Sequence, residues 1–474
     1  MAPPDDDDHD CGWKAYAAAQ GQKLAELTEK LAALERRLFD KKSERRPSSK
    51  LPPPLPKAKR TPDEARQARK DNALLREAGV ETEVTPLTVA EKDCPKCTGT
   101  MHRIGSKPSV VWEYVQPFFR KRVYERETVA CSCGHIKTAN APERMGEKTR
   151  YASSFVAHLI VNKCSHSNPQ NRLEKAYRDL GIPLSRSTMC NLIHRAAREL
   201  RPLYTAALAL VPQAPDVHAD ETSMRQWDHE GRCYLWTFVT PDLIVYRYAT
   251  TRSGSVPEQV LGDSPGRLVV DQYTGYNAVT KPGRRTRAGC FAHVRRKIYE
   301  QRQHPETEEA LDLITRLYRI EGQAKAAQIV GTESHLALRQ LESKPLFTQL
   351  LRWGRKHRGR FGPRSALGRA IRCVLKNFRS LGCFLRYASV PLDNNIAEAS
   401  LRRAALGRVN YLFFGNEQAG HDFAVLYTLV ASCEKHRVNA LAYLTDVLTR
   451  VHRHPARDIQ DLLPHRWKPP DPAG

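Results

Sequence analysis

The stretch from residue 215 to 300 constrains this chain most, because the apolar pattern switches there from a helical to a strand period. DVHADETSMRQW, RCYLWTFVT and LIVYRYATT are short runs rich in β-branched and aromatic residues, separated by breaks such as WDHEG and TPD, and they predict a three-strand meander. RLVVDQYTGYNAV predicts a fourth strand that ends in an acid, and CFAHVRRKIYEQR a helix after it.

A meander, a fourth strand and a helix make the first half of a ribonuclease-H-like α/β unit. Residues 300–390 then read as helical and interrupt it. At 474 residues the chain exceeds a single core, so the expected fold is multidomain α/β with several units joined by linkers. It carries 76 Lys and Arg against 52 Asp and Glu, a formal net charge of +24, which points to a polyanionic partner. Nucleic acid is favoured over an anionic membrane face, because no apolar run approaches the ~20 residues of a spanning helix. The start, MAPPDDDDHD, has no apolar h-region and reads as no signal peptide, so twelve cysteines are expected as reduced thiols in the cytoplasm.

After an acidic start over residues 1–20, Leu24, Leu27, Leu31, Leu34 and Leu38 alternate spacings of three and four within residues 21–45, an a/d seam that fits a dimerising zipper or one amphipathic helix. Residues 46–85 read as a Pro-, Ser- and Lys-rich linker and a helix. Over residues 86–145, CPKC and the later CSCGH flank a predicted β-hairpin, so Cys94, Cys97, Cys131 and Cys133 form a candidate four-thiolate zinc site. The CxC spacing leaves His135 as an alternative fourth ligand. Residues 146–212 read as a helical DNA-binding region of helix-turn-helix type, with Gly181 ending one helix and Ser185 capping the next. In that second helix Met189, Leu192, Ile193, Ala196, Ala197 and Leu200 line one face. Arg186, Ser187, Asn191, His194 and Arg195 are left to face a DNA groove, although an ordinary helical hairpin fits the same pattern. The catalytic core is expected over residues 213–435, with the helical insertion at 300–390 and a C-terminal segment over 436–474.

Three acids stand out by position: Asp220 in HADETS, Asp271 closing the apolar run LVV, and Glu398 in PLDNNIAEASLRR. Phosphoryl transfer on DNA uses two divalent ions about 4 Å apart, and three carboxylates with the scissile phosphate neutralise them. Strand alternation puts His218 and Asp220 on one side and Glu221 on the other, which assigns Glu221 a structural part. Asp393 is expected to cap a helix beginning at Asn394, on which Asn394, Asn395, Glu398 and Arg402 share a face. Cys290 and His293 share a face of the CFAHVRRK helix and read as a buried thiol and an orienting histidine, with a metal role as the alternative. Arg295, Arg296 and Lys297, like Arg402, read as phosphate contacts.

In order along nearly the whole chain, the seam ending in LFDKKSE, CPKC with the later cysteine pair, HADETS, DQYTGYNAV, GCFAHVRRK, PLDNNIAEASLR, GRVNYLFFGN and LLPHRW resemble the transposases of the insertion-sequence-66 type. The resemblance implies an Asp, Asp, Glu transposase with a ribonuclease-H-like core, a helical insertion, a zinc-binding region and a helix-turn-helix for the element's ends. Carried over by motif, its catalytic acids are Asp220, Asp271 and Glu398. It further implies Mg²⁺ or Mn²⁺ at the acids, structural Zn²⁺, and duplex DNA as partner, both element ends and target. The resemblance also implies accessory proteins from the same element, whereas a homodimer or higher oligomer is the expectation from the leucine seam, and a place in the bacterial cytoplasm, at the nucleoid when bound to DNA, the expectation from the acidic start and the DNA partner. The sequence departs from the family pattern at CSC in place of CxxC, at Ala399 in place of Arg and at Ser223 in place of Pro. A DNA-binding regulator, an inactive copy of an element and a related ribonuclease-H-fold nuclease are the alternative readings.

Overall fold

The computed structural model describes residues 151–469 except Pro183, and scattered positions before residue 151. The chain separates into two units, Met1–Lys30 with Phe118–Gly474, and Leu31–Pro117. Of the second unit only Gln67, in helical conformation, is described. Cys94, Cys97, Cys131, Cys133 and His135 lie outside the described residues, as does the Pro-rich linker. Of the leucine seam only Leu24, helical and exposed, lies within them. A short antiparallel pair, β1 (Thr128–Ala130) and β2 (Ile136–Thr138), brackets the CSCGH segment.

Helices α1 (Ser153–Cys164), α2 (Gln170–Asp179), α3 (Arg186–Glu199) and α4 (Arg201–Leu210) precede the sheet. Gly181 sits just past α2 at φ +77°, a left-handed conformation that glycine adopts without Cβ strain. Ser185 starts α3, its hydroxyl accepting from the Thr188 N–H at 3.3 Å. Met189, Leu192, Ile193, Ala196, Ala197 and Leu200 are buried, as their spacing predicts.

Five strands form one mixed sheet in the order β5-β4-β3-β6-β7. β3 (Asp216–Met224), β4 (Cys233–Val239) and β5 (Ile244–Ala249) are the antiparallel meander, and β6 (Arg267–Val270) and β7 (Thr286–Gly289) continue from β3 in parallel. The mixed α/β class is as expected. The crossover helix α5 (Ser255–Leu261) and strand β7 have no counterpart in the sequence reading.

Alternation divides β6 between two cores: Leu268 and Val270 join the helices on one face, and Val269 faces the other. The first face is covered by α13 (Glu417–Lys435), buried along nearly its whole length. Gly420 lets that helix close on the sheet, since a Cβ there would lie 2.5 Å from the Tyr248 ring. α13 also covers the edge of the sheet: Thr428 Oγ1 accepts from the Tyr246 N–H at 2.9 Å and Ser432 Oγ from the Ile244 N–H at 3.1 Å. Those two N–H groups would otherwise stand unpaired along β5. α14 (Ala440–Arg450) packs on α1, and Trp467 of the LLPHRW motif donates to Asp446 at 2.7 Å.

On the second face, α6 (Phe291–Tyr299) is followed by α7 (Glu306–Ala326), α8 (Glu333–Leu338), α9 (Lys344–His357), α10 (Ala366–Lys376) and the short α11 (Phe378–Leu381). Helices α7 to α11 fall within residues 300–390, which read as helical in the sequence, and with α6 they build a core around Phe291, Ile314, Leu350, Trp353, Ile371 and Phe384. Buried Arg339 ties the insertion together, pairing with Glu321 at 2.6 Å and donating to the carbonyls of Phe384, Tyr387, Ala388 and Val390. The chain then returns to the sheet through α12 (Asn395–Tyr411).

Candidate active site

Asp220 lies in β3, opposite Thr237 of β4. On its other side β3 pairs with β6 at Asp216 with Arg267 and His218 with Val269. Extending that register brings Asp271, the residue after β6, level with Asp220. Asp271 is held there by the Tyr273 N–H, which donates to Oδ1 at 2.8 Å, and by Arg287 of β7, which donates to its carbonyl at 2.8 Å. Burial, then repulsion from Glu221 and from Asp271 and Glu398, pushes the Asp220 carboxyl up to about 7, against the pull of the Glu221 N–H. Asp271 and Glu398 therefore both lie near enough to Asp220 for their charge to bear on it.

Glu398 is placed by the start of α12. Asn394, 1% exposed, donates from Nδ2 to the Ala219 carbonyl at 2.7 Å and accepts from His218 Nδ1 at 3.1 Å, so the helix begins against the residue next to Asp220. Burial lowers the His218 pKa and favours the neutral ring, which donates from Nδ1 in this pair. One turn further on stands Glu398. Ser400 meets Thr237, the cross-strand partner of Asp220, at 3.0 Å. The expectation for this helix start needs correction: helical residues begin at Asn395, and the cap position belongs to Asn394. Asp393 accepts from the Asn395 N–H at 3.1 Å, while the Asn394 side chain is spent on the sheet. Nor do the four polar residues share one environment, since Asn394 is buried and Asn395 and Arg402 are exposed.

His293 Nδ1 of α6 lies 3.5 Å from Glu398 Oε1, and neither atom has a hydrogen-bond partner although both are buried. Cys290 Sγ completes a group of three donor atoms, all within 4.8 Å of one another. That thiol accepts from the Asn394 N–H, and burial pushes it up to about 11. Arg296 Nη2 is 3.9 Å from the other Glu398 oxygen. Lys297 donates to Gln272, next to Asp271, at 3.0 Å, and Arg295 stacks over Tyr299. Glu221 turns away from Asp220, paired with Arg252 and accepting from Tyr276 at 2.6 Å, as alternation predicts.

In α3, Arg186, Ser187 and Asn191 are exposed and Arg195 half-buried, with Arg186 paired to Glu174 at 3.2 Å. His194 departs from the expected groove-facing set. It turns inward to Asp422 of α13 at 2.8 Å, because α13 packs along that flank of α3. Asn394 as the link between helix and sheet, and Thr237 as the contact for Ser400, were not found from the sequence. A threonine inside the apolar run CYLWTFV was the one visible sign of the second.

Residues 148–422 match the family model described as Transposase IS66 family, and residues 428–465 match the IS66 C-terminal element. The chain is 30% identical over 402 residues to the uncharacterized protein y4jD of Sinorhizobium fredii, covering 79% of this chain and 78% of that one. It is also 30% identical over 409 residues to y4hP of the same organism, covering 79% and 73%. With more than half of its length matched, the chain belongs to the IS66 family of transposases.

Proposed function

We propose that this protein is a DNA transposase that binds the ends of an insertion sequence and carries out strand cleavage and strand transfer at Asp220, Asp271 and Glu398. The observation that carries the reading is the convergence of these acids: Asp220 on β3, Asp271 just past the end of the parallel strand β6 and level with it when their register is extended, and Glu398 on a helix anchored at Ala219. The sheet order, three antiparallel strands followed by two parallel ones, supports the reading of a ribonuclease-H-like core.

The donor set fits divalent metal. Asp220 is raised by burial and then by its neighbours' charge, and Glu398 Oε1 is buried without a partner, as expected of carboxylates that bind a cation. Mg²⁺ or Mn²⁺ bound there supplies charge neutralisation and polarises the phosphate and the attacking oxygen. The protein's own groups do the positioning. Asn394 and His218 hold the Glu398 helix against β3, His293 orients Glu398, and Arg295, Arg296, Lys297 and Arg402 hold phosphates over the acids. Arg186, Ser187, Asn191 and Arg195 of α3 contact the element ends. Cys94, Cys97, Cys131 and Cys133 hold structural zinc, and the leucine seam pairs two copies. A cytoplasmic enzyme acting at the nucleoid, with accessory proteins from its element, completes the reading.

The test incubates the purified chain with labelled DNA carrying its element's ends, with Mg²⁺ or without divalent metal, beside Glu398→Gln. Metal-dependent joined products that vanish in the variant support the transposase. Cleavage without joining indicates a nuclease, and binding without chemistry, even with accessory proteins added, indicates a regulator or an inactive copy.

A further inference from the structure

From Lys344 to Arg386 the chain carries twelve Lys or Arg and no acid, and all twelve side chains are exposed. Among the described residues only Arg360 of these is ion-paired, to Glu306 at 3.3 Å. A solvated surface normally mixes both signs, whereas this one leaves eleven of its twelve cations without an ion pair. Where α9 meets α11, the face holds a cavity of about 410 Å³. Lys344, Arg379 and Arg386 stand around it, and Phe347 and Leu385 contribute its apolar wall. Phe347 is fixed by ring contacts to Phe291 and Phe384. Phe378, the remaining aromatic of the lining, is 43% exposed.

We propose that this cavity is a nucleotide site that takes one unpaired nucleotide of a DNA strand, its base against Phe378 and its phosphate among Lys344, Arg379 and Arg386. An exposed ring beside cations suits a planar base joined to an anion. A simple anion leaves the aromatic wall unused, and an apolar peptide leaves the cations unneutralised. The volume falls within the range of small-ligand sites, about 300–1,000 Å³. A DNA strand is favoured over a free nucleotide because the insertion is tied to the second acid: Cys373 of α10 donates to Gln272, next to Asp271, at 2.8 Å. Lys297 bonds both residues, so cations continue from α6 onto the insertion.

This inference rests on the DNA reading but not on catalysis. The full-length Glu398→Gln chain, in buffer free of Mg²⁺, is titrated into a duplex containing 2-aminopurine, either paired or as a single-nucleotide bulge. The bulged duplex should bind about tenfold more tightly, the gain expected from one base–aromatic stack, with the fluorophore quenched. Phe378→Ala should abolish the preference and the quench while duplex affinity stays within about twofold, and Phe378→Trp should keep both. Arg379→Gln with Arg386→Gln should weaken binding to both DNAs and lower the salt dependence. Equal affinity for the two DNAs, or a preference that survives Phe378→Ala, overturns the site. A chain that passes this test yet joins no DNA keeps the nucleotide site and loses the transposase reading.

Discussion

The Asn394 side chain donates to the Ala219 carbonyl at 2.7 Å, so a buried amide fastens the start of the helix that carries Glu398 beside Asp220. The same side chain accepts from His218. The spacing between the first and third acids therefore depends on a residue that need not touch DNA or metal.

Asn394→Ala should leave the Ala219 carbonyl and the His218 ring without partners, costing about 1–3 kcal/mol in urea unfolding. A shift of Glu398 by about 1 Å should lower the joining rate by roughly a hundredfold. A folded variant that joins ends at the wild-type rate would show that the fastening has no part in placing the acid.

The clustered acids imply that metal and folding are linked. The Asp220 carboxyl is pushed up to about 7 in the folded chain, so its contribution to stability is full below the ordinary carboxylate range and is lost as pH rises through about 7. The metal-free melting temperature should fall between pH 5 and pH 8, and less so in Asp220→Asn. Mg²⁺ at a hundred times its Kd should restore about 2.7 kcal/mol to the wild type and little to the variant. Calorimetry at both pH values checks the sign, and a variant stabilised by Mg²⁺ as strongly as the wild type contradicts it.

Arg339, 1% exposed, bonds Glu321 and four carbonyls across the insertion. Arg339→Met should leave Glu321 and those carbonyls unsatisfied and destabilise the protein by about 3–5 kcal/mol. Arg339→Lys should recover only part, since an ammonium lacks the planar fork. Unfolding midpoints that are equal for both variants and the wild type would refute this.

The inward-turned His194 sets an alkaline limit. Its bond to Asp422, helped by Cys190, outweighs burial and raises the imidazole to about 9. Burial acts to raise Asp422, but His194 and Gln418 outweigh it and hold that carboxyl below its ordinary value. The His194 contribution is full below its ordinary value near 6.5 and is lost as pH rises through about 9. Thermal stability should drop between pH 7 and pH 9.5, and the drop should shrink in His194→Gln. An unchanged pH profile in the variant would place the cause elsewhere.

Where a segment's own pattern decides its structure, the sequence was readable. The meander from β3 to β5 shows in its β-branched and aromatic runs, and the strand before Asp271 in LVV. Strand β7 was missed because TRAG is four residues long with neither alternation nor β-rich composition, and its pairing comes from β6. The inward turn of His194 was missed because the contact lies 228 residues away in α13. Asn394 was read as part of a helix start, since local rules assign Asx side chains to their own backbone. Its true partners are on β3, brought near only by the completed fold.

The cover that α13 gives to β5 has a consequence for synthesis. Thr428 and Ser432 leave the ribosome long after Tyr246 and Ile244, so the growing chain carries an open strand edge while the insertion is being made. The helix bearing Glu398 also emerges after the insertion. A message cut short between Tyr299 and Val390 would therefore yield a product lacking Glu398 and still able to stick to its neighbours, so completing the chain both closes the sheet and brings Glu398 beside it.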